Sequence, residues 1–199
     1  YVLYMLGQEE LNGLLFPLGE YTKERVRELA RLHRLPVAGR AESQDICFIK
    51  DPSYSDFLTR QQGFEPQPGP IVDIRGNYLG QHPGLHRFTV GQRRGINLPA
   101  KAPYYVVRLE PEENRLVVGF EKDVFVSSCK VSGINWINKP REFPVFLDTQ
   151  VRYHHCPAKS VLTLTDDFSA TIQFDKPQSA VTPGQGAVFY QDNEVIGGG

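Results

Sequence analysis

Cys47 is the residue of this sequence with the clearest potential for covalent chemistry. It lies in the short apolar run at residues 46–49, and alternation along an extended strand puts Asp45 and Cys47 on one face, with Ser43 nearby. A thiol reacts as its thiolate, and polar neighbours at the end of a strand control how readily the thiolate forms. Isolated cysteines are also often packed as small apolar side chains. The spacing alone leaves both interpretations open.

A second candidate site is the densest group of cations, in the segment Gly-Gln-Arg-Arg-Gly at residues 91–95. Arg93 and Arg94 could bind a pair of phosphates in bidentate fashion, and the flanking glycines would let the backbone approach the ligand. The alternative interpretation is a solvated turn in a β-rich region.

Other site types find little support. In His154, His155 and Cys156, adjacent side chains would point to opposite faces of a strand, and no second cluster has zinc-site spacing, so we predict no metal site. The sequence contains neither a Walker loop nor a GxGxxG fingerprint. A cysteine hydrolase pairing Cys47 with His33 or His82 would need a thiol–imidazole contact that a sequence cannot show.

The elements that must position these residues change along the chain. In residues 1–60, Thr22 is a plausible N-cap for a helix whose apolar residues recur with helical spacing, and residues 45–49 fit a buried strand. A helix followed by a buried strand is typical of an α/β domain, present here as its tail. A second helix is predicted to begin at Asp51-Pro52.

The remainder of the chain is predicted to be mainly β. In residues 61–121, short apolar runs flank turns at residues 75–77 and 111–114, which indicates two hairpins in a small β-rich domain. In residues 122–199, strict alternation at residues 145–153 and 170–175 predicts half-buried strands of a small barrel or sandwich.

Composition sets broad limits. The 199 residues are 40% hydrophobic and 23% charged, as in an ordinary globular protein. The net charge is -1, so the overall charge does not indicate a nucleic-acid partner. Three dispersed cysteines favour a reducing, cytoplasmic location, and no apolar run approaches the roughly 20 residues of a membrane span. The chain starts without methionine at Tyr1 and ends on three glycines, so we expect it to be part of a longer protein.

Ten short segments, in a fixed order, match one known family. They are residues 1–6, 15–19, 42–49, 68–73, 91–95, 105–107, 151–153, 174–178, 181–185 and 197–199. Together they span essentially the whole chain and resemble the tRNA-specific 2-thiouridylases of bacteria and organelles.

This resemblance implies a three-part protein. Residues 1–60 would be the C-terminal part of a PP-loop ATP-pyrophosphatase α/β domain, residues 61–121 a central β-rich domain, and residues 122–199 a tRNA-binding β-barrel. ATP with Mg²⁺ and a first catalytic cysteine would belong to a part upstream of Tyr1. No cofactor is therefore expected within this chain, which should be inactive alone.

The resemblance also assigns site residues. Cys47 matches the family's persulfide-bearing cysteine, and Asp45 is a candidate supporting residue. In the implied reaction the C2 oxygen of the tRNA wobble uridine is adenylated and then replaced by the persulfide sulfur, which a sulfur-donor protein supplies. Arg152, Tyr153 and Gln185 match tRNA contacts.

Some interpretations stay open within this resemblance. Arg152 could be only a solvated strand residue, and Tyr153 could be barrel core. Residues 96–97 and 154–157 depart from the family pattern, which puts the role of the second segment in tRNA contact in question. A non-enzymatic RNA-binding barrel is the main alternative, and it predicts a buried, inert Cys47.

Overall fold

The computed structural model describes residues 1–40, 54–153 and 155–199. The chain divides into two compact units. One combines Tyr1–Glu9 with Glu65–Gly199, and the other is Glu10–Phe64. The segment Tyr1–Glu9 therefore belongs to the same compact unit as the β-sheets.

The unit Glu10–Phe64 is helical where the structure describes it. Its helices are α1 (Gln8–Asn12, which starts in the other unit), α2 (Lys23–Leu32) and α3 (Tyr54–Thr59). The prediction for α2 is confirmed, because the Thr22 hydroxyl accepts a hydrogen bond from the N–H of Arg25 at 3.3 Å. The predicted strand at residues 45–49 and the predicted helix start at Asp51-Pro52 lie outside the described residues. At 10 residues, α2 is the longest helix described, half the length that a bilayer span requires.

The central part of the larger unit is a four-stranded sheet. Its strands are β1 (Gly69–Asp73), β2 (Tyr78–His82), β3 (Tyr105–Glu110) and β4 (Arg115–Gly119), in the order β2-β1-β4-β3. Both predicted hairpins are confirmed as antiparallel pairs, and β1 and β4 pair in parallel. The core of this sheet consists of buried apolar side chains, namely Ile71, Phe88, Ile96, Val106, Leu116 and Val118.

The remainder of the larger unit is a seven-stranded antiparallel sheet, called the barrel sheet here. Its strands are β5 (Phe125–Ser132), β6 (Asn135–Trp136), β7 (Val145–Gln150), β8 (Ala158–Asp166), β9 (Ser169–Ser179), β10 (Val188–Gln191) and β11 (Glu194–Gly198). The order is β5-β9-β8-β7-β10-β11-β6, so β5 and β6 are its edges. The predicted fold, a helical start followed by mainly β structure, is confirmed.

Strand β7 ends earlier than the alternation predicts. It stops at Gln150, and Arg152 and Tyr153 lie in a bend and turn. The Gln150 side chain is 9% exposed, and its amide donates to the carbonyl oxygens of Arg152 at 3.0 Å and Tyr153 at 2.9 Å. Because these carbonyls bind a side chain, they form no strand ladder. The prediction that this strand continues through residue 153 was therefore wrong.

The segment Tyr1–Glu9 packs against the barrel sheet. The Asn135 side-chain amide donates to the carbonyl oxygens of Tyr4 at 2.8 Å and Leu6 at 3.0 Å. The Tyr1 hydroxyl donates to the carbonyl oxygen of Gly186 at 2.6 Å. A half-buried amide that is satisfied twice by one short segment fixes that segment's path across the sheet.

Candidate nucleic-acid interface

A cleft of about 540 Å³ lies where the central sheet meets the barrel sheet. Three segments line it: residues 89–92 from the β2–β3 connection, Arg152, Tyr153 and His155 after β7, and Thr182 with Gln185 from the β9–β10 connection. We call it the Tyr153 cleft. It brings together three predicted site residues, Arg152, Tyr153 and Gln185, which are far apart in sequence.

Arg152 connects the two sheets. Its Nη2 donates to the carbonyl oxygens of Ala180 at 3.0 Å and Val90 at 3.3 Å, and to the Thr182 hydroxyl at 3.4 Å. Among the described residues, Nε and Nη1 of Arg152 have no hydrogen-bond partner. One edge of the guanidinium therefore holds the cleft together, and the other edge can bind an anion.

Gly91 lets the central sheet approach the barrel closely. Its φ is +84°, and a Cβ on it would lie 2.3 Å from the Cβ of Ala180. Any larger residue would push the two segments apart. In the structure, Gly91 thus allows a close approach to the barrel, whereas the proposed approach of the glycine backbone to a ligand stays a prediction.

Gln92 shapes the loop that carries the two arginines. Its Oε1 accepts from the N–H of Thr89 at 3.0 Å, and its Nε2 donates to the carbonyl oxygens of Arg87 at 3.2 Å and Arg94 at 2.8 Å. Arg93 and Arg94 are exposed and do not line the Tyr153 cleft. Both arginines lie on the loop that contributes residues 89–92 to the cleft, but outside the edge of the cleft.

Tyr153 is 62% exposed, so the interpretation of this residue as barrel core was wrong. Its ring meets the Tyr1 ring edge to face, with centroids 5.9 Å apart. Its carbonyl is held by Gln150, which in turn accepts a hydrogen bond from the Tyr190 hydroxyl at 2.9 Å. Burial raises the pKa of Tyr190, so that hydroxyl stays a donor at neutral pH. The aromatic side chain is exposed on a fixed backbone.

The lining suits an anionic, base-containing ligand. Gln185 is exposed at the rim, and no Asp or Glu occurs among the described lining residues. His155 and Thr182 add polar groups. Aromatic, amide and guanidinium groups together can bind the bases and phosphates of a single-stranded nucleic acid. Sequence reasoning did not assign His155, Thr182 or Gln150 to this cleft, because their roles here depend on contacts across the fold.

The described cysteines differ in environment. Cys47 and Asp45 lie outside the described residues. Burial raises the pKa of the Cys129 thiol to about 11, so it is a neutral packing residue at pH 7. Cys156 is exposed.

His82 has a structural role, which disfavours it as the base of a cysteine hydrolase. It is 1% exposed, its Nδ1 accepts from the N–H of Gly84 at 3.1 Å, and its Nε2 lies 3.0 Å from the carbonyl oxygen of Asn114. Both ring nitrogens are therefore engaged within the central sheet. His154 lies outside the described residues.

Three family descriptions match consecutive parts of the chain. Residues 1–51 match a tRNA methyl transferase HUP domain, residues 55–120 a tRNA methyl transferase PRC-barrel domain, and residues 126–199 an aminomethyltransferase beta-barrel domain.

Similar proteins cover the whole chain. The chain is 45% identical to the tRNA-specific 2-thiouridylase MnmA of Desulfosudis oleivorans, covering all of this chain and 56% of that protein. It is 44% identical to the protein of the same name from Carboxydothermus hydrogenoformans, covering 100% of this chain and 55% of the relative. It is 43% identical to tRNA-specific 2-thiouridylase MnmA 2 of Syntrophus aciditrophicus, covering 100% of this chain and 64% of that protein. The chain thus spans little more than half the length of the first two relatives. On these matches, and in agreement with its fold, the chain belongs to the tRNA-specific 2-thiouridylase family.

Proposed function

We propose that the protein acts in the thiolation of the wobble uridine of tRNA, with the Tyr153 cleft as part of the tRNA-binding surface. The observation that carries this proposal is the convergence of Arg152, Tyr153 and Gln185 on one cleft whose described lining has no carboxylate. The stacking surface of Tyr153 suits a base, and the Gln185 amide suits a base edge. The arginines at 93 and 94 suit the flanking phosphates.

The proposed chemistry assigns Cys47 as the sulfur carrier. A donor protein transfers a sulfur atom to Cys47, forming a persulfide. Activation of the uridine C2 oxygen by ATP releases pyrophosphate and leaves an adenylated base. The terminal sulfur then attacks C2, the C2–O bond breaks, and AMP leaves. A second cysteine thiol attacks Cys47 Sγ, so the S–S bond breaks, a disulfide forms and sulfur remains on C2. No described residue is assigned to ATP.

The test is a single-turnover transfer of radiolabelled sulfur from a persulfide donor through the complete natural protein to unmodified tRNA. With Cys47→Ser we expect neither labelled protein nor thiolated tRNA, because the nucleophilic sulfur is absent. The matched control is Cys156→Ser, which removes an exposed thiol and should transfer normally.

Retained transfer by Cys47→Ser would overturn the assignment of the carrier. A wild-type protein that binds tRNA but never accepts sulfur would instead support a non-enzymatic RNA-binding barrel. The two results are distinguished by measuring labelled protein and bound tRNA in the same sample.

A further inference from the structure

A second open groove runs along strand β5, one of the two edge strands of the barrel sheet. Its volume is also about 540 Å³, and it lies between β5 and residues 181–187. We call it the β5 groove. Thr182 and Gln185 line both this groove and the Tyr153 cleft, so the two depressions share one wall.

The β5 groove has an apolar floor and a polar rim. Val131 and Ala187 are buried and form part of the floor. Alternation along β5 turns Cys129 and Val131 toward the core, so Ser128, Lys130 and Ser132 are exposed on the other side. A floor of this kind fits a base, and hydroxyl and ammonium groups fit the sugar and phosphate.

The charge of the groove favours an anion. Lys130 is the one formally charged side chain among its described lining residues, and none of them is Asp or Glu. The raised pKa of Cys129 keeps that thiol from becoming an anion at neutral pH. In contrast, a cleft of about 250 Å³ elsewhere on the barrel sheet is lined by Asp148, Asp175 and Asp192 around Lys159.

We propose that the β5 groove is a second subsite for the same RNA strand. The strand that occupies the Tyr153 cleft crosses over Thr182 and Gln185 and continues along β5, where Lys130 pairs with a phosphate. This inference rests on the proposed function, because it extends the tRNA-binding surface described above. Two features support it: the two depressions are continuous through a shared wall, and the β5 groove carries a lysine without a carboxylate among its described lining residues.

The test measures binding of an unmodified tRNA transcript to Lys130→Ala and Lys130→Glu over a range of salt concentrations. Loss of one phosphate contact should weaken binding roughly fivefold at 0.1 M salt and lower the slope of log K against log salt by about 0.7. Lys130→Glu should weaken binding further, because it places a negative charge beside the phosphate.

The matched control is Lys159→Ala. It removes one lysine from the same sheet, outside the groove, where the ammonium is 2.9 Å from Asp148. It should leave the salt slope unchanged. Both lysines are exposed, so unfolding curves should confirm that each variant is folded.

The outcomes separate the inference from the proposed function. If Tyr153→Ala weakens binding but both Lys130 variants bind like Lys159→Ala, the subsite is overturned and the tRNA-binding surface stands. If no variant changes the affinity, the proposed surface fails as well. Unchanged RNA binding by Lys130→Glu would leave edge strand β5 as a site for an added peptide strand, which would also overturn the subsite.

Discussion

Gln150 determines where strand β7 ends and where the cleft begins. Its amide satisfies two carbonyls of the following turn, and its Oε1 accepts from Tyr190. The sequence could not predict this, because alternation in residues 145–153 continues unbroken through Tyr153. The strand ends where a buried side chain takes the backbone carbonyls that would otherwise pair with a neighbouring strand. A single side-chain contact of this kind leaves no periodic pattern in the sequence.

Cys129 provides a prediction at the scale of single residues. Because burial raises its pKa to about 11, its thiolate should be scarce until the pH approaches that value. Alkylation of the native protein at pH 7 should therefore modify Cys156 well before Cys129. Mass spectrometry of peptides after timed iodoacetamide treatment measures both rates in one sample.

The same experiment contains its own control. In denaturant, where burial is lost, the two thiols should react at similar rates. Equal rates in the native protein would show that Cys129 is accessible and that its environment differs from the one described.

Among the elements, local turns were predictable and contacts between sheets were not. Both hairpins of the central sheet follow from turn residues between apolar runs, since the pairing partners are close in sequence. The bond from Arg152 to Val90 joins positions 62 residues apart and has no local signature. Family resemblance pointed to Arg152 as a tRNA contact, but its role in joining the sheets came only from the structure.

Arg152→Lys should loosen the junction between the two sheets without RNA present. The lysine side chain is one bond shorter than that of arginine, so its ammonium lies short of the position from which Nη2 donates to the carbonyl oxygens of Ala180 and Val90. We expect the free energy of unfolding to fall by about 1–3 kcal/mol. Amide hydrogen exchange should accelerate in residues 89–92 and 180–185.

Arg108→Lys is the matched control for that change. Arg108 is 52% exposed and pairs with Glu110 within the central sheet, so its replacement should cost less than about 0.5 kcal/mol. If Arg152→Lys changes neither stability nor exchange in the free protein, Arg152 does not hold the sheets together.

For the whole molecule, the net charge of -1 conceals how charge is distributed. The helical start, the central sheet and the barrel could be predicted from the sequence, because each has a characteristic spacing of apolar residues and characteristic turn residues. The Tyr153 cleft and the β5 groove could not be predicted, since each is built from residues of several elements. The predicted placement of Cys47 lies outside the described residues and stays a prediction.

Electrostatic and stacking contributions to tRNA binding should separate in a salt titration. Replacing Arg93 and Arg94 by Ala together should lower the slope of log K against log salt by about 1.5, because two phosphate contacts are lost. Tyr153→Ala should instead weaken binding by about 1–3 kcal/mol at an unchanged slope, because stacking releases no counterions. Filter binding of an unmodified tRNA measures both quantities.

Arg141→Ala is the control, since Arg141 is exposed and lies outside both the Tyr153 cleft and the β5 groove. A slope that falls equally in all three proteins would indicate a diffuse charge effect instead of contacts at the loop.

The docking of Tyr1–Glu9 on the barrel sheet has a consequence for biosynthesis. The Tyr1 hydroxyl bonds to Gly186, 185 positions later, and Asn135 holds Tyr4 across 131 positions. During translation at about 5–20 residues per second, the early segment must wait for many seconds before its binding surface leaves the ribosome. In that interval the side chains that docking partly buries, Tyr1, Tyr4 and Leu6, are fully exposed and are natural substrates for a chaperone at the exit tunnel.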